Sequence, residues 1–281
     1  MATADDTPFL HIRNLRVWYG TADSAPVVRI DELALFRGQF LGLAGESGAG
    51  KTTAGLTVLG LTRHAGARVT GSIRLAGEEL VSAPERRLRR LRGTTMALIP
   101  QNPAAAFHPV LPVGVTVLRA LRLHGCTRAE ARRRAATALE RVGLPADHLS
   151  RLPHQLSGGQ LQRVAIALAS ALRTRLLLAD EPTSALDVTV QAEICALLAE
   201  LRDTHGTAVL FISHDLALLA GLCDRIAVLH QGRVIEDRPA ADLVAAPWAD
   251  CTRRLLAAVP RLGIPAAPGP GEGRDEEAAG A

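Results

Sequence analysis

One stretch of the sequence decides the fold: Gly45-Glu46-Ser47-Gly48-Ala49-Gly50-Lys51-Thr52, followed by Thr53. It fits the pattern GxxxxGK[ST] in full, and it lies between an apolar strand at 39–44 and a segment with helical spacing at 51–61. The glycines let successive backbone N–H groups turn toward phosphate oxygens, and the following helix points its positive end at the same anion. We therefore expect a phosphate loop at 45–53, with Lys51 at the β- and γ-phosphates of a nucleotide and the Thr52 hydroxyl on Mg²⁺.

A second apolar strand, at 176–179, ends in two adjacent carboxylates, Asp180 and Glu181. Because ligands of parallel sheets bind at the carboxyl ends of the strands, we expect both carboxylates near the phosphate loop. Asp180 is placed to hold Mg²⁺, directly or through water, and Glu181 to act as the general base that polarises an attacking water. Alone, such a pair would be interpreted as a solvated turn; the apolar run before it and the phosphate loop favour the functional interpretation.

Outward from these segments, strand-like runs alternate with helical segments. The strand-like runs are 10–19, 27–36, 71–75, 95–99, 208–212 and 226–229. This alternation predicts an α/β fold with a mostly parallel sheet flanked by helices. Residues 103–170 are rich in Ala, Leu and Arg, with helical periodicity at 115–123 and 128–142, which predicts an inserted helical subdomain. Gln231-Gly232 predicts a tight hairpin turn, and the Pro-, Gly- and Glu-rich segment 263–281 is expected to be a disordered tail.

Composition limits the possible functions. In 281 residues, 48% are hydrophobic and 21% charged, which suits a packed domain, and the net charge of +4 does not by itself indicate nucleic acid. The arginine-rich segments 85–92 and 132–134 are interpreted as solvated helix faces, with a surface for lipid headgroups or a partner as the alternative.

The four cysteines and nine histidines are dispersed, so no zinc site or disulfide framework is predicted. No secretory signal and no apolar run of about 18–20 residues is found, so we expect any membrane role to come through a partner.

The segment Leu156-Ser157-Gly158-Gly159-Gln160 resembles the signature of ATP-binding-cassette (ABC) proteins. Other elements of that family stand in the expected order: Tyr19 in the place of the aromatic that stacks on adenine, Gln101 as the Q-loop glutamine, Asp187 in a D-loop-like segment, and His214 as the switch histidine. The resemblance covers about residues 9–260. It implies a P-loop NTPase of the ABC cassette type, with an antiparallel β subdomain, a cassette domain at 9–240 and the helical insert at 103–170.

The resemblance also implies roles. The signature segment (residues 156–160) is a second anion site, because Ser157 suits a helix N-cap and the two glycines leave backbone N–H groups free. It would close over ATP bound by a second copy or a paralogue, so that two ATP molecules lie in a head-to-tail dimer. His214 would donate to the γ-phosphate, and Gln101 would contact both Mg²⁺ and the attacking water. The alternatives are a helix-end histidine, an ordinary loop amide and, for Tyr19, a core aromatic.

Three stretches resemble the peptide/nickel importer branch of the family: 101–109, with His108 where the branch has Asn; 180–191; and 247–260, from which Trp248 and Cys251 depart. The C-terminal importer-branch box is assigned to 241–262. This branch implies an ATPase that powers import of peptides, nickel or metal chelates, lying peripherally on the cytoplasmic face of the cell membrane. The expected partners are two transmembrane permeases, a second ABC ATPase subunit and, indirectly, an extracytoplasmic solute-binding protein. No cysteine follows Cys251, so no iron–sulfur cluster is expected.

Two other functions were weighed. A non-transport ABC ATPase acting on nucleic acid or the ribosome would carry two cassettes, long coiled coils or zinc modules, and the sequence offers none of these. A phosphate-loop kinase or GTPase would have no use for the signature segment, and no guanine-reading NKxD-like segment is found. We therefore expect no nucleic-acid partner.

Overall fold

The computed structural model describes residues 7–20, 24–184 and 186–257. The predicted tail at 263–281 lies outside these ranges. The strands are β1 (Leu10–Trp18), β2 (Val28–Leu35), β3 (Phe40–Ala44), β4 (Arg68–Leu75), β5 (Glu78–Glu79), β6 (Met96–Ile99), β7 (Leu176–Asp180), β8 (Ala208–Ile212), β9 (Arg225–His230) and β10 (Arg233–Pro239). The helices are α1 (Lys51–Val58), α2 (Glu85–Leu91), α3 (Val113–Leu123), α4 (Arg128–Arg141), α5 (Gly158–Leu172), α6 (Val188–His205), α7 (Leu216–Leu222), α8 (Ala240–Ala245) and α9 (Asp250–Ala257).

The strands form one sheet in the order β5-β4-β1-β2-β10-β9-β3-β8-β7-β6. Strands β9, β3, β8, β7 and β6 pair in parallel, whereas β5, β4, β1 and β2 pair antiparallel. The β9–β10 hairpin joins the two halves, because β10 also bridges to β2. Its turn, Gln231-Gly232, has positive φ at both residues, as the predicted tight turn requires. The α/β fold with an antiparallel portion is therefore confirmed.

The parallel strands are buried on both faces, which explains their continuous apolar sequences. In β7, Leu177 and Ala179 face the core with α3–α7, while Leu176 and Leu178 face the core with α1, α2, β1 and β2. Successive residues of a strand point to opposite faces, so one apolar run supplies both cores. The parallel strands thereby lie between helices α3–α7 on one face and α1, α2 and the antiparallel strands on the other.

The carboxyl ends of β3, β8, β7 and β6 lie side by side. In register, Leu43 pairs with Ile212, Ile212 with Asp180, and Ile99 with Ala179. Whatever follows these four strands must therefore meet at one edge of the sheet.

The elements differ from the predicted bounds in a few places. The helix expected at 51–61 ends at Val58, since the chain turns at Gly60 with a φ of +69°. The strand expected at 71–75 begins at Arg68, and the arginine-rich segment 85–92 forms α2, with Leu88 and Leu91 buried beneath its exposed arginines. Helices α3, α4 and α5 fill most of the predicted insert between β6 and β7. Within the described ranges, no helix combines the length and the apolar character needed to span a bilayer.

Candidate functional site

The phosphate loop connects β3 to α1, and its backbone requires glycine at two positions. Gly45 has a φ of +151°, and a Cβ there would lie 2.2 Å from the carbonyl oxygen of Leu229. Gly50 has a φ of +98°, and a Cβ there would lie 2.9 Å from the carbonyl oxygen of Val27. Side chains are excluded at both places, so the loop can curl tightly against β9 and the start of β2.

Lys51 is the first residue of α1, and its side chain is buried in the loop. Its Nζ donates to the carbonyl oxygens of Gly45 at 2.7 Å and Glu46 at 3.0 Å. Burial lowers the pKa of Lys51, and the nearby carboxylates of Glu181 and Asp180 oppose that shift. No acidic residue lies in the first turn of α1, and Gly50 provides no side-chain cap. This end of the helix therefore offers N–H groups and an ammonium to an anion.

Thr52 and Asp180 meet across the junction of α1 and β7. The Thr52 hydroxyl donates to Asp180 Oδ1 at 3.1 Å. Burial raises the pKa of Asp180, although the hydrogen bond from Thr52 partly offsets it. A buried carboxylate beside a hydroxyl is a hard oxygen donor set that suits Mg²⁺, and a cation there would relieve the cost of the buried charge.

Glu181 lies at the centre of a hydrogen-bonded group. Gln101 Nε2 donates to its Oε2 at 2.9 Å, and His214 Nδ1 lies 3.1 Å from its Oε1. Its backbone N–H donates to Ile212 of β8, and its φ of +45° is unusual for a residue with a side chain. The Glu181 carboxylate contacts Gln101 and His214, whereas the Asp180 carboxylate contacts Thr52. The structure thus brings together the three predicted catalytic residues, which come from the ends of β6, β7 and β8.

Two residues that flank His214 and fix the local turn were not identified from the sequence. Ser213 Oγ accepts from the backbone N–H of Asp215, and the Asp215 carboxylate caps α7 by accepting from Leu218. The spacing of Ser and Asp around the histidine, followed by a helical apolar run, is the signal that could have identified this turn and cap.

The signature segment begins α5 with a capping box. Ser157 Oγ accepts from the N–H of Gln160, and Gln160 Oε1 accepts from the N–H of Ser157. A Cβ on Gly159 would lie 3.1 Å from Leu186, which places the D-loop-like segment beside it. In the described part of the chain, no hydrogen bond joins residues 157–160 to the phosphate loop.

The remaining predicted residues lie at the margins of this site. Tyr19 follows β1 and is 36% exposed, which does not fit a core aromatic. The Asp187 carboxylate is engaged as the N-cap of α6, where it accepts from Val190. Glu46 and Ser47 are exposed, and Thr53 lies in the first turn of α1.

Known sequences match most of the chain. A family profile described as ABC transporter matches residues 29–184. A peptide import ATP-binding protein of Brucella abortus (strain 2308) is 42% identical over 260 residues, which cover 91% of this chain and 78% of the relative. The oligopeptide transport ATP-binding protein OppD of Salmonella typhimurium is 40% identical over 258 residues, covering 90% and 76% of the two chains.

Solved structures resemble the fold along most of its length. A dimeric post-hydrolysis state of an ATP-binding cassette, bound to ADP and Pi, has a TM-score of 0.74 and 26% identity, covering 82% of this chain and 98% of the other. The cbiO1 protein of Clostridium perfringens, part of the ABC transporter complex cbiONQ, has a TM-score of 0.71 and 25% identity, covering 90% and 96% of the two chains.

Proposed function

The chain belongs to the ABC transporter family as an ATP-hydrolysing subunit of an importer, and from this premise we propose that it powers the uptake of peptides. The sequence left peptides, nickel and metal chelates open as cargo, and the form of its segment 101–107 favoured the nickel-type subunits. The names of the relatives, which refer to peptide import and oligopeptide transport, favour peptides. A role on nucleic acid or the ribosome is not favoured by these relatives.

One observation carries the assignment of the catalytic residues: the Glu181 carboxylate is held between Gln101 and His214, beside the Thr52–Asp180 pair. We infer that Glu181 is the general base for the attacking water. Gln101 orients the base and the water, and His214 bridges the base and the γ-phosphate. A positioned base contributes about 10²–10⁴ to the rate.

The ATP site itself is proposed from the phosphate loop, residues 45–53. Lys51 would leave the carbonyl oxygens that it now contacts and bind the phosphates, and exposed Tyr19 would stack on the adenine. Thr52, Asp180 and Gln101 would hold Mg²⁺, which neutralises phosphate charge. The buried Asp180 carboxylate beside the Thr52 hydroxyl supports this choice of metal.

The assembly is proposed to be a head-to-tail pair of cassettes on membrane permeases. Since the signature segment makes no hydrogen bond to the phosphate loop of its own chain in the described ranges, it is free to close over ATP on a second ABC ATPase, either the same chain or a paralogue. Two transmembrane permeases would contact the pair on the cytoplasmic face of the membrane. A solute-binding protein on the other side would deliver the peptide.

Reconstitution tests this function. The chain, its permeases and the partner cassette are placed in liposomes, and uptake of labelled oligopeptides and of Ni²⁺ is measured with ATP. We expect uptake of peptides alone, and we expect Ser157→Arg to stop turnover while ATP still binds to the variant's own phosphate loop. Uptake of Ni²⁺ instead of peptides would contradict the cargo, and full turnover by Ser157→Arg would contradict the composite site.

A further inference from the structure

Three side chains that bind metals well meet beside the phosphate loop, away from the Thr52–Asp180 pair. Glu46 lies in the loop, His230 at the end of β9, and Cys251 in α9. Cys251 Sγ is 3.4 Å from His230 Nδ1 and 4.0 Å from Glu46 Oε1, and His230 Nδ1 is 4.0 Å from Glu46 Oε2. Among the described residues, this is the one group of three such side chains with ligand atoms within 4.8 Å of one another.

These distances suit a tetrahedral ion. With Zn–S of about 2.3 Å and Zn–N and Zn–O of about 2.0–2.2 Å, tetrahedral ligands lie about 3.4–3.6 Å apart. The thiol and the imidazole already have that separation. The Glu46 side chain is 50% exposed, so a small rotation can bring its carboxylate closer. A sulfur, a nitrogen and an oxygen together favour Zn²⁺ over Mg²⁺ or Ca²⁺, which prefer oxygen alone.

The surroundings are consistent with an ion that enters from solvent. Cys251 is buried, whereas Glu46 is exposed and His230 partly so, which leaves the carboxylate side open for a water as fourth ligand. Burial and the Glu46 charge raise the pKa of the Cys251 thiol, and Arg254 opposes this shift. Without an ion, the thiol therefore keeps its proton, and binding would release that proton to solvent.

We propose that Glu46, His230 and Cys251 form a Zn²⁺ site that ties the C-terminal helix α9 to the phosphate loop. The backbone carbonyl of Glu46 accepts from Lys51 Nζ, and the N–H of Gly232, two residues after His230, donates to the carbonyl of Ala49. An ion here fixes the side chain of a phosphate-loop residue from outside the nucleotide site. The three ligands lie 21 to 205 residues apart in the chain, so no local spacing in the sequence predicts the site.

The test measures Zn²⁺ binding to the full-length, untagged and reduced chain, without nucleotide or Mg²⁺, by equilibrium dialysis with metal analysis. Wild type should bind one equivalent, more tightly as the pH rises, because the thiol must lose its proton. Co²⁺ in place of Zn²⁺ should give a thiolate charge-transfer band and the visible bands of a tetrahedral ion. His230→Gln and Cys251→Ser should each weaken Zn²⁺ binding at least about tenfold. With Co²⁺, Cys251→Ser should remove the thiolate charge-transfer band, and His230→Gln should remove the visible bands of a tetrahedral ion.

Cys195→Ser is the matched control, because it removes a thiol outside the cluster; it should bind Zn²⁺ as wild type does. Circular dichroism establishes that each variant is folded, and His230→Gln provides a second reading if Cys251→Ser does not fold. Less than stoichiometric binding by wild type would overturn the proposal. So would unchanged affinity in both folded ligand variants, or equal loss in Cys195→Ser.

Discussion

At the scale of single residues, two neighbouring carboxylates make separate sets of contacts, and Glu181 does so from an unusual backbone conformation. A non-glycine residue at a φ of +45° costs on the order of 1–3 kcal/mol. The surrounding contacts compensate for that cost: the backbone N–H bonds to β8, and the side chain lies between Gln101 and His214. Asp180 meanwhile remains buried against Thr52.

Replacing Glu181 with Gln should reduce ATP turnover by about 10²–10⁴ and leave ATP affinity nearly unchanged. The amide keeps the shape and one acceptor oxygen, but it cannot take a proton from water. Phosphate release and nucleotide titration measure the two quantities. Glu140→Gln, an exposed change on α4, is the control and should turn over like wild type. Turnover near the wild-type rate in Glu181→Gln would remove this residue from its role.

Replacing Asp180 with Asn should raise the melting temperature at neutral pH while weakening Mg²⁺ binding. Burial raises the pKa of Asp180 above 3.8, so the folded chain holds the proton to a higher pH than the unfolded chain. The free energy of unfolding therefore falls as the pH rises from the pKa of Asp180 in the unfolded chain to its higher pKa in the folded chain. It stays lowered at neutral pH. Each kcal/mol of unfavourable free energy that the substitution removes should raise the melting temperature by about 2–4 °C.

Melting curves across the acid range should show the advantage of Asp180→Asn disappearing as the pH falls from the higher of these pKa values to the lower, since both folded chains are then uncharged at this position. Asp242→Asn, at an exposed aspartate, controls for the general loss of a carboxylate. A variant that melts below wild type at neutral pH would show that the Thr52 contact outweighs the cost of burial.

At the scale of elements, helix termini carry much of the site, and two of them can be compared directly. Ser157 caps α5 and Thr127 caps α4 by the same kind of bond to the N–H three residues on. Only Ser157 lies in the signature segment. Comparing the two caps therefore distinguishes a residue that only stabilises its helix, Thr127, from one that we also expect to contact a nucleotide, Ser157.

Ser157→Ala and Thr127→Ala should each lose about 0.5–2 kcal/mol of folding stability, because each leaves an N-terminal N–H of its helix unsatisfied. Denaturant titration measures this loss. Only Ser157→Ala should lower ATP turnover in the assembled complex. Equal turnover in the two variants would reduce the role of Ser157 to that of an ordinary helix cap.

At the scale of the whole molecule, the sequence predicted the phosphate loop, the two carboxylates and the order of strands and helices, since each depends on local pattern. The apolar run 176–179 predicted β7 and its ending. It could not predict that Gln101 and His214 both reach Glu181, because the order of β6, β7 and β8 in the sheet is a long-range property. For the same reason, the meeting of Glu46, His230 and Cys251 was not predicted.

A mixing experiment tests whether two copies of the chain form the composite site. Lys51→Ala lacks its own phosphate site, and Ser157→Arg lacks a usable signature segment, so neither variant alone has an intact site. A mixed pair has one, formed by the phosphate loop of one copy and the signature segment of the other. If two copies of the chain pair, the mixture should release more phosphate than the sum of the separate variants. No gain on mixing would exclude self-pairing and leave a paralogous cassette as the partner.

The glycine at position 55 has a mechanical consequence. A Cβ there would lie 2.6 Å from Leu178 and 2.9 Å from Ile212, so α1 rests directly on β7 and β8. Such close packing transmits displacement rather than absorbing it. We therefore expect Lys51, Asp180 and Glu181 to keep fixed positions relative to one another. Any movement during ATP turnover is then expected to occur between this rigid unit and the helical segment that follows Gln101.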